Sequence, residues 1–112
     1  MELKISKMGD VSTITLTGRI DASVALDIEQ ELLSLISEES CKLVITLSEV
    51  TFISSAGLRS LIAVLKQAKR EGGDLRLAEM DRRVQEVFDM TGISTIFKIF
   101  ASSKDAVQSF GD

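Results

Sequence analysis

Residues 42–58, which read KLVITLSEVTFISSAGL, decide the predicted fold. Residues 42–47 form an apolar run typical of a β-strand that is covered on both faces. Residues 48–54 are predicted to connect this strand to a helix. The apolar residues of the connection, which we expect to be buried, are Val50, Phe52 and Ile53. A buried strand followed by an amphipathic helix is the repeating unit of an α/β domain with a largely parallel sheet.

Downstream, the sequence predicts a helix and three further elements before a terminal helix. The first helix has apolar residues at helical spacing, namely Leu58, Leu61, Ile62, Leu65 and Ala68. The pair Gly72-Gly73 is a strong signal for its end. The next elements are a strand over 74–78, a short helix capped by Asp81 and a strand over 95–100. Ser103 or Asp105 opens the terminal helix.

Upstream, residues 3–17 predict a β-hairpin with its turn at Gly9-Asp10. The second strand, over 11–17, is rich in β-branched residues. It places Ile14 and Leu16 on one face and threonines on the other. The hairpin therefore supplies an antiparallel pair of strands in front of the alternating strands and helices.

The hairpin leads into a helix that Asp21 or Ser23 could cap and that extends to about Glu38. The predicted element order is β-β-α-β-α-β-α-β-α. We therefore expect one α/β domain over 1–112, with a mixed sheet made of the N-terminal hairpin and parallel strands.

The composition excludes several kinds of chemistry. The 112 residues carry 13 basic and 17 acidic side chains, a net charge of −4, so we expect no nucleic-acid partner. Histidine is absent, which excludes Ser–His–Asp and Cys–His catalysis and histidine-ligated metals. Cys41 is the single cysteine, so the sequence holds neither a disulfide framework nor a CxxC motif. We expect no enzyme activity, no metal and no cofactor.

The chain carries no recognisable targeting or membrane signal. Its first residues alternate polar and apolar, unlike a signal peptide. The longest apolar run, 61–65, is far shorter than the ~20 residues that span a bilayer. Together with the free Cys41, this predicts a cytoplasmic protein that does not insert into membranes.

Residues 52–58, FISSAGL, are the most informative for function. They join the carboxyl end of a buried strand to a helix, where functional loops gather in open α/β sheets. Three interpretations stay open on physical grounds. Ser54 or Ser55 caps the helix, the first-turn N–H groups bind an anion, or a serine accepts a phosphate that changes what the surface binds. A serine enzyme is disfavoured, because no histidine is present to activate the nucleophile.

Three segments resemble the STAS domain family, specifically the bacterial anti-sigma factor antagonists. They are LTGRIDASVALDIEQEL at 16–32, LSEVTFISSAGLRSLIAVLKQAKREGGDLRLAEM at 47–80 and VQEVFDMTGISTIFKIFASSKDAVQSF at 84–110. The resemblance covers about residues 2–110. It implies one STAS-like domain, with about four helices packed mainly on one face of the mixed sheet.

The resemblance implies a partner-switching regulator of transcription. In that family the unphosphorylated antagonist binds an anti-sigma factor, which is also a serine kinase with a histidine-kinase-like ATPase fold. This binding releases a sigma factor. Phosphorylation of one serine in the antagonist blocks binding, and a PP2C-type phosphatase removes the phosphate.

The resemblance also implies a site. Aligned on Gly57-Leu58, the family's phosphoacceptor falls on Ser55. Ser54, which stands where the family often has Asp, is the second candidate. Asp21 matches an acidic residue of the family, and we expect its loop to lie beside Ser55. The expected partner contacts are Asp21, Ser54, Ser55, Ala56, Gly57 and Arg59, while Leu58 belongs either to this surface or to the core.

A second function is compatible with the same architecture. The protein would then be a constitutive subunit of a larger assembly, such as the accessory protein of an ABC-type lipid transporter or a stressosome-like scaffold. Such a subunit need not respond to phosphate. An enzyme or a small-molecule binder would need a polar pocket, and the sequence does not locate one. We expect a monomer.

Overall fold

The computed structural model describes residues 3–111, which form a five-stranded sheet with four helices. The strands lie in the order of the chain: β1 (Lys4–Met8), β2 (Val11–Ile20), β3 (Lys42–Ile53), β4 (Asp74–Ala78) and β5 (Lys98–Phe100). The helices are α1 (Ala22–Ser34), α2 (Ser55–Arg70), α3 (Arg82–Met90) and α4 (Ser103–Gln108). Only β1 pairs antiparallel within this sheet, so the predicted α/β fold with a mixed sheet is confirmed.

The central strand β3 is buried on both faces over 43–47, and the prediction from its apolar run is confirmed there; Lys42 is half-buried. Leu43 and Ile45 belong to the main core, which they form with residues of α1, α2 and α3. Val44 points to the other face and packs with Ala106 of α4. Three helices therefore cover one face of the sheet, and α4 covers part of the other.

Strand β1 lies at one edge of the sheet, and all five of its residues are exposed. It pairs with β2 from Lys4 to Met8 and turns at Gly9-Asp10, as predicted. Gly9 has a φ of 67°, a left-handed conformation that glycine adopts without steric cost. At the opposite edge, β5 has only three residues.

The predicted connection over 48–54 is wrong, because β3 continues to Ile53. Its pairing with β2 passes two irregularities of register, which break the period-two alternation of a regular strand. Val50 and Ile53 are buried as predicted. Phe52 is 37% exposed, so its predicted burial is wrong.

Three predicted boundaries also differ from the structure: β2 ends at Ile20 rather than Thr17, α1 at Ser34 rather than Glu38, and β5 begins at Lys98 rather than Thr95. Strand β2 is longer because it follows β3 to the end of their pairing. Helix α1 stops because the N–H groups of Leu35 and Ile36 bond to carbonyls three residues back, which tightens the last turn. A 3-10 turn, Ile93–Thr95, occupies the predicted start of β5.

Helix α4 is anchored to the sheet by Glu79. The Glu79 carboxylate accepts the Ser103 N–H at 2.8 Å and the Ser103 hydroxyl. The Ser103 hydroxyl also lies 2.9 Å from the Thr46 hydroxyl on β3. The hydrogen bond from the Ser103 side chain, followed by that from its backbone, holds the pKa of Glu79 below its usual value.

We expect Glu79→Gln to lower the free energy of unfolding by about 1 kcal/mol at pH 7, because a neutral amide accepts these bonds less strongly than a carboxylate. A carboxyl whose pKa is lowered by folding contributes stability above its unfolded pKa and loses it as the pH falls through the folded pKa. The difference between the parent and Glu79→Gln should therefore shrink in urea titrations as the pH falls below about 4.5.

Glu86→Gln on α3 is the matched control, because Glu86 is exposed and its side chain makes no hydrogen bond within residues 3–111. Its effect on stability should be small at every pH. A stability difference for Glu79→Gln that stays constant down to about pH 3 would contradict the assigned role of the carboxylate.

Candidate functional site

The candidate site lies where β2 and β3 end side by side. Their parallel register pairs Arg19 with Phe52 and Ile20 with Ile53. The N–H of Ser54 donates to the carbonyl of Ile20 at 2.9 Å and extends this pairing. Because both strands lead directly into helices, the N-termini of α1 and α2 lie at the same end of the sheet, beside the carboxyl ends of β2 and β3. The expected proximity of the two loops is observed.

Ser54 is the N-cap of α2. Its backbone is extended, with φ −89° and ψ 170°, and its side-chain oxygen accepts the N–H of Gly57 at 3.2 Å. Its carbonyl accepts the N–H of Leu58 at 3.0 Å, the first hydrogen bond of the helix. The capping interpretation therefore applies to Ser54 and leaves Ser55 available for another role.

Ser55 is the first residue of α2 and is exposed. Its hydroxyl makes no hydrogen bond to any residue in the range 3–111. The first-turn N–H groups of α2 lend this position positive partial charge, and the first turn contains no acidic residue. The Ser55 hydroxyl is thus an accessible group in a place that favours negative charge.

Gly57 allows α2 to sit close to both strands. A Cβ atom at this position would lie 2.8 Å from Cγ2 of Ile20 and 2.9 Å from Cγ1 of Ile53. Gly57 is buried, so it positions the helix and presents no side chain to a partner. Leu58 is 2% exposed and belongs to the core, which decides between its two expected roles.

Asp21 caps α1 at the neighbouring strand end. Its carboxylate accepts the Ser23 N–H at 3.0 Å and the Ser23 hydroxyl at 2.5 Å. The bond from the Ser23 side chain, then that from the Ser23 backbone, and to a smaller extent the positive charge of Arg19 lower the pKa of Asp21. Asp21 is therefore an anion at neutral pH beside the start of α2.

The outward surface of the site is small and polar. Ser55 and Arg59 are exposed, and Ala56 and Ser54 are half-buried. Ser55 and Arg59 stand four residues apart on α2, which places them on the same side of the helix, one turn apart. Arg59 makes no salt bridge within the part of the chain that the structure describes.

Two other features, a metal-binding cluster and a membrane-spanning helix, are not found among the described residues. In residues 3–111, no group of three or more cysteine or carboxylate side chains could hold a metal ion. Over the same residues, no helix is long and apolar enough to cross a membrane.

The comparison with protein families gives the fold a family. The model of the STAS domain matches residues 2–106. The chain belongs to the STAS domain family. The resemblance stated from the sequence is thereby confirmed.

The relatives of this STAS domain include anti-sigma factor antagonists. BtrV of Bordetella bronchiseptica, which carries that name, is 32% identical over 110 residues, covering 98% of this chain and 95% of BtrV. The anti-sigma-B factor antagonist of Bacillus subtilis is 33% identical over 95 residues, or 85% of this chain and 86% of that protein. The crystal structure of an anti-sigma factor antagonist from Mycobacterium paratuberculosis has a TM-score of 0.88 at 25% identity, covering 99% of this chain and 94% of that chain.

The STAS domain also has a cavity that the sequence did not locate. Its volume is about 260 Å³, and its lining residues are Arg19, Thr51, Phe52, Ile53, Arg83, Val84 and Val87. The guanidinium carbon of Arg19 lies 4.3 Å from the centroid of the Phe52 ring. The sequence did not predict this cavity, because residues 48–54 were expected to form a connection. Arg19 is paired with Phe52 only because β3 continues as a strand through this segment.

We expect Gly57→Ala to destabilise the STAS domain by about 1–3 kcal/mol, because the added methyl group overpacks the contact with Ile20 and Ile53. Alanine stabilises an unobstructed helix position relative to glycine by ~1 kcal/mol, so a loss of stability reports the clash. Thermal and urea unfolding measure it.

Gly111→Ala is the matched control, since its Cβ would meet the nearest atom, the Gln108 carbonyl oxygen, at an ordinary 3.5 Å. Its stability should stay within about 0.5 kcal/mol of the parent. A Gly57→Ala variant as stable as the parent would show that the contact of α2 with Ile20 and Ile53 has room for a methyl group.

Proposed function

We propose that this STAS domain is an anti-sigma factor antagonist that works in the cytoplasm and is controlled by phosphorylation of Ser55. Its unphosphorylated form binds an anti-sigma factor that is also a serine kinase with a histidine-kinase-like ATPase fold, and a sigma factor is released. The phosphorylated form does not bind, and a PP2C-type phosphatase resets it. Similarity to named antagonists over most of the chain supports this proposal.

The observation that carries the assignment is the division of roles between the two adjacent serines. The Ser54 oxygen accepts the Gly57 N–H, so a phosphate on it would disturb the cap of α2. The Ser55 hydroxyl is exposed and makes no such bond within residues 3–111. A kinase can therefore reach and modify Ser55 while the helix start stays intact.

The electrostatics of the site explain how a phosphate can act as a switch. A phosphoserine adds a charge of about −1.5 to −2, which the N-terminus of α2 tolerates. A partner that covers Ser55 would have to desolvate this charge, at a cost of several kcal/mol unless it were paired. Because each ~1.4 kcal/mol changes affinity tenfold, the phosphate alone can abolish binding.

Arg59 supplies a second part of the switch. In the unphosphorylated form its free guanidinium can pair with an acidic group of the anti-sigma factor. In the phosphorylated form the Ser55 phosphate stands one turn away on the same side of α2 and competes for the guanidinium. Phosphorylation would then add a charge and remove a partner contact together.

We expect Ser55→Ala to abolish phosphate incorporation and to preserve binding to the anti-sigma factor, because the variant removes only an exposed hydroxyl. Intact-mass spectrometry of the protein from its host, followed by fragmentation over residues 52–58, measures the modification. Phosphatase treatment of the parent protein should remove the added mass.

Ser54→Ala is the matched control: it should still accept phosphate at Ser55 and should lose about 1 kcal/mol of stability with the cap. Phosphate on Ser54 in the parent protein would move the acceptor by one residue. A population that stays unmodified under all growth and stress conditions would contradict the proposal and favour a constitutive subunit of a larger assembly.

A titration tests the contact between Arg59 and the phosphate. A nearby guanidinium favours the dianion and lowers the second pKa of a phosphoserine, which is ~6 without such a partner. Arg59→Gln should therefore raise this pKa in a ³¹P NMR titration of the phosphorylated protein. Lys66→Gln, an exposed change farther along α2, should leave the pKa unchanged. Equal titration curves for Arg59→Gln and the parent would refute the contact.

A further inference from the structure

The cavity described above lies beside the candidate site, between the ends of β2 and β3 and helix α3. Strand residues Arg19 and Phe52 form one side of it, and Arg83, Val84 and Val87 of α3 form the other. Ile53 also lines the cavity, and its Cγ1 atom lies 2.9 Å from where a Cβ atom of residue 57 would stand. At about 260 Å³, the cavity is smaller than the 300–1,000 Å³ typical of drug-sized ligands. This volume suits a small molecule.

The charge around this cavity is of one sign. Arg19 and Arg83 are the charged residues of the lining, and no carboxylate lines it. Neither guanidinium forms a salt bridge within residues 3–111. The charge of Arg19 acts on the neighbouring Asp21, but the two do not reach ion-pair distance. Two free guanidiniums at one cavity form a site that favours an anion, because their planar N–H groups match carboxylate and phosphate oxygens.

Apart from Thr51, the remaining lining is apolar and partly aromatic. One face of the Phe52 ring carries the Arg19 guanidinium at 4.3 Å, and the side chain is still 37% exposed. Val84 and Val87 stand one turn apart on α3. Val84 is buried in the core, and the half-buried Val87 extends the apolar surface. An occupant that had only charge would leave the exposed Phe52 ring and the half-buried Val87 side chain in water, so the lining selects a molecule that has an apolar part as well.

We infer that this cavity binds a small organic anion, with its carboxylate or phosphate on Arg19 and Arg83 and its apolar group against Phe52 and Val87. The site uses neither the Ser55 hydroxyl nor Arg59. It is therefore independent of the proposed phosphorylation, and either hypothesis can fail while the other holds.

The test uses phenyl phosphate as the probe and follows ¹H–¹⁵N NMR spectra of the full chain. We expect saturable shifts confined to residues 19–20, 51–53 and 83–87. Inorganic phosphate, which lacks the apolar group, and benzyl alcohol, which lacks the charge, should each bind at least about tenfold more weakly. Equal affinity for phenyl phosphate and inorganic phosphate would overturn the inference, as would the absence of saturable shifts at millimolar phenyl phosphate.

Two variants of adjacent residues separate a built site from general charge attraction. Arg83→Gln should weaken phenyl phosphate binding at least about tenfold, through loss of charge-assisted hydrogen bonds. Arg82→Gln removes the same charge from an exposed residue that does not line the cavity, and should bind as the parent does. Equal weakening by both variants would show attraction to the surface of α3 and overturn the inference.

Discussion

The architecture of the site depends on the parallel pairing of β2 and β3 to their last residues. The hydrogen bond from the Ser54 N–H to the Ile20 carbonyl closes this pairing at 2.9 Å. Because the chain enters a helix after each strand, two helix N-termini, with their positive partial charge, lie at the carboxyl ends of β2 and β3. Asp21 neutralises the end of α1, whereas the first turn of α2 contains no acid. The end of α2 is therefore the place where an added anion is least opposed.

The tight packing of α2 against the sheet restricts how the start of the helix can move. Gly57 brings the helix against Ile20 and Ile53, and Leu58 fixes the next position in the core. A charge added at Ser55 meets a helix start that has no room to move toward the sheet. On the proposed function, a phosphate on Ser55 would therefore act by changing the surface potential and not by moving the backbone.

Local signals predicted the parts of the fold that depend on neighbours in the chain. The burial of 43–47 follows from its apolar run, and the caps Asp21 and Asp81 follow from short-range hydrogen bonding. The continuation of β3 to Ile53 could not be predicted in this way, because it depends on pairing with β2 through irregular register. The exposure of Phe52 follows from that pairing and was missed with it.

Local signals also predicted the outline of the site. A pair of serines before Gly57 fits a helix start, yet either serine could be the cap. The choice rests on the extended backbone of Ser54 and on the hydrogen bond that its side chain accepts from the Gly57 N–H, which only the three-dimensional structure supplies. The cavity could not be predicted from local signals, because Arg19 and Arg83 line it together only through the packing of α3 against the strand ends.

The exposed edge strand β1 has a consequence for self-association. A free strand edge invites pairing with another molecule, and such pairing can continue without limit. Lys4 and Lys7 stand on this edge, and pairing two copies there would bring like charges together. The opposite edge, β5, is only three residues long and gives a second copy little backbone to bond. Both edge strands of this STAS domain are thus poorly suited to pairing between copies of the chain.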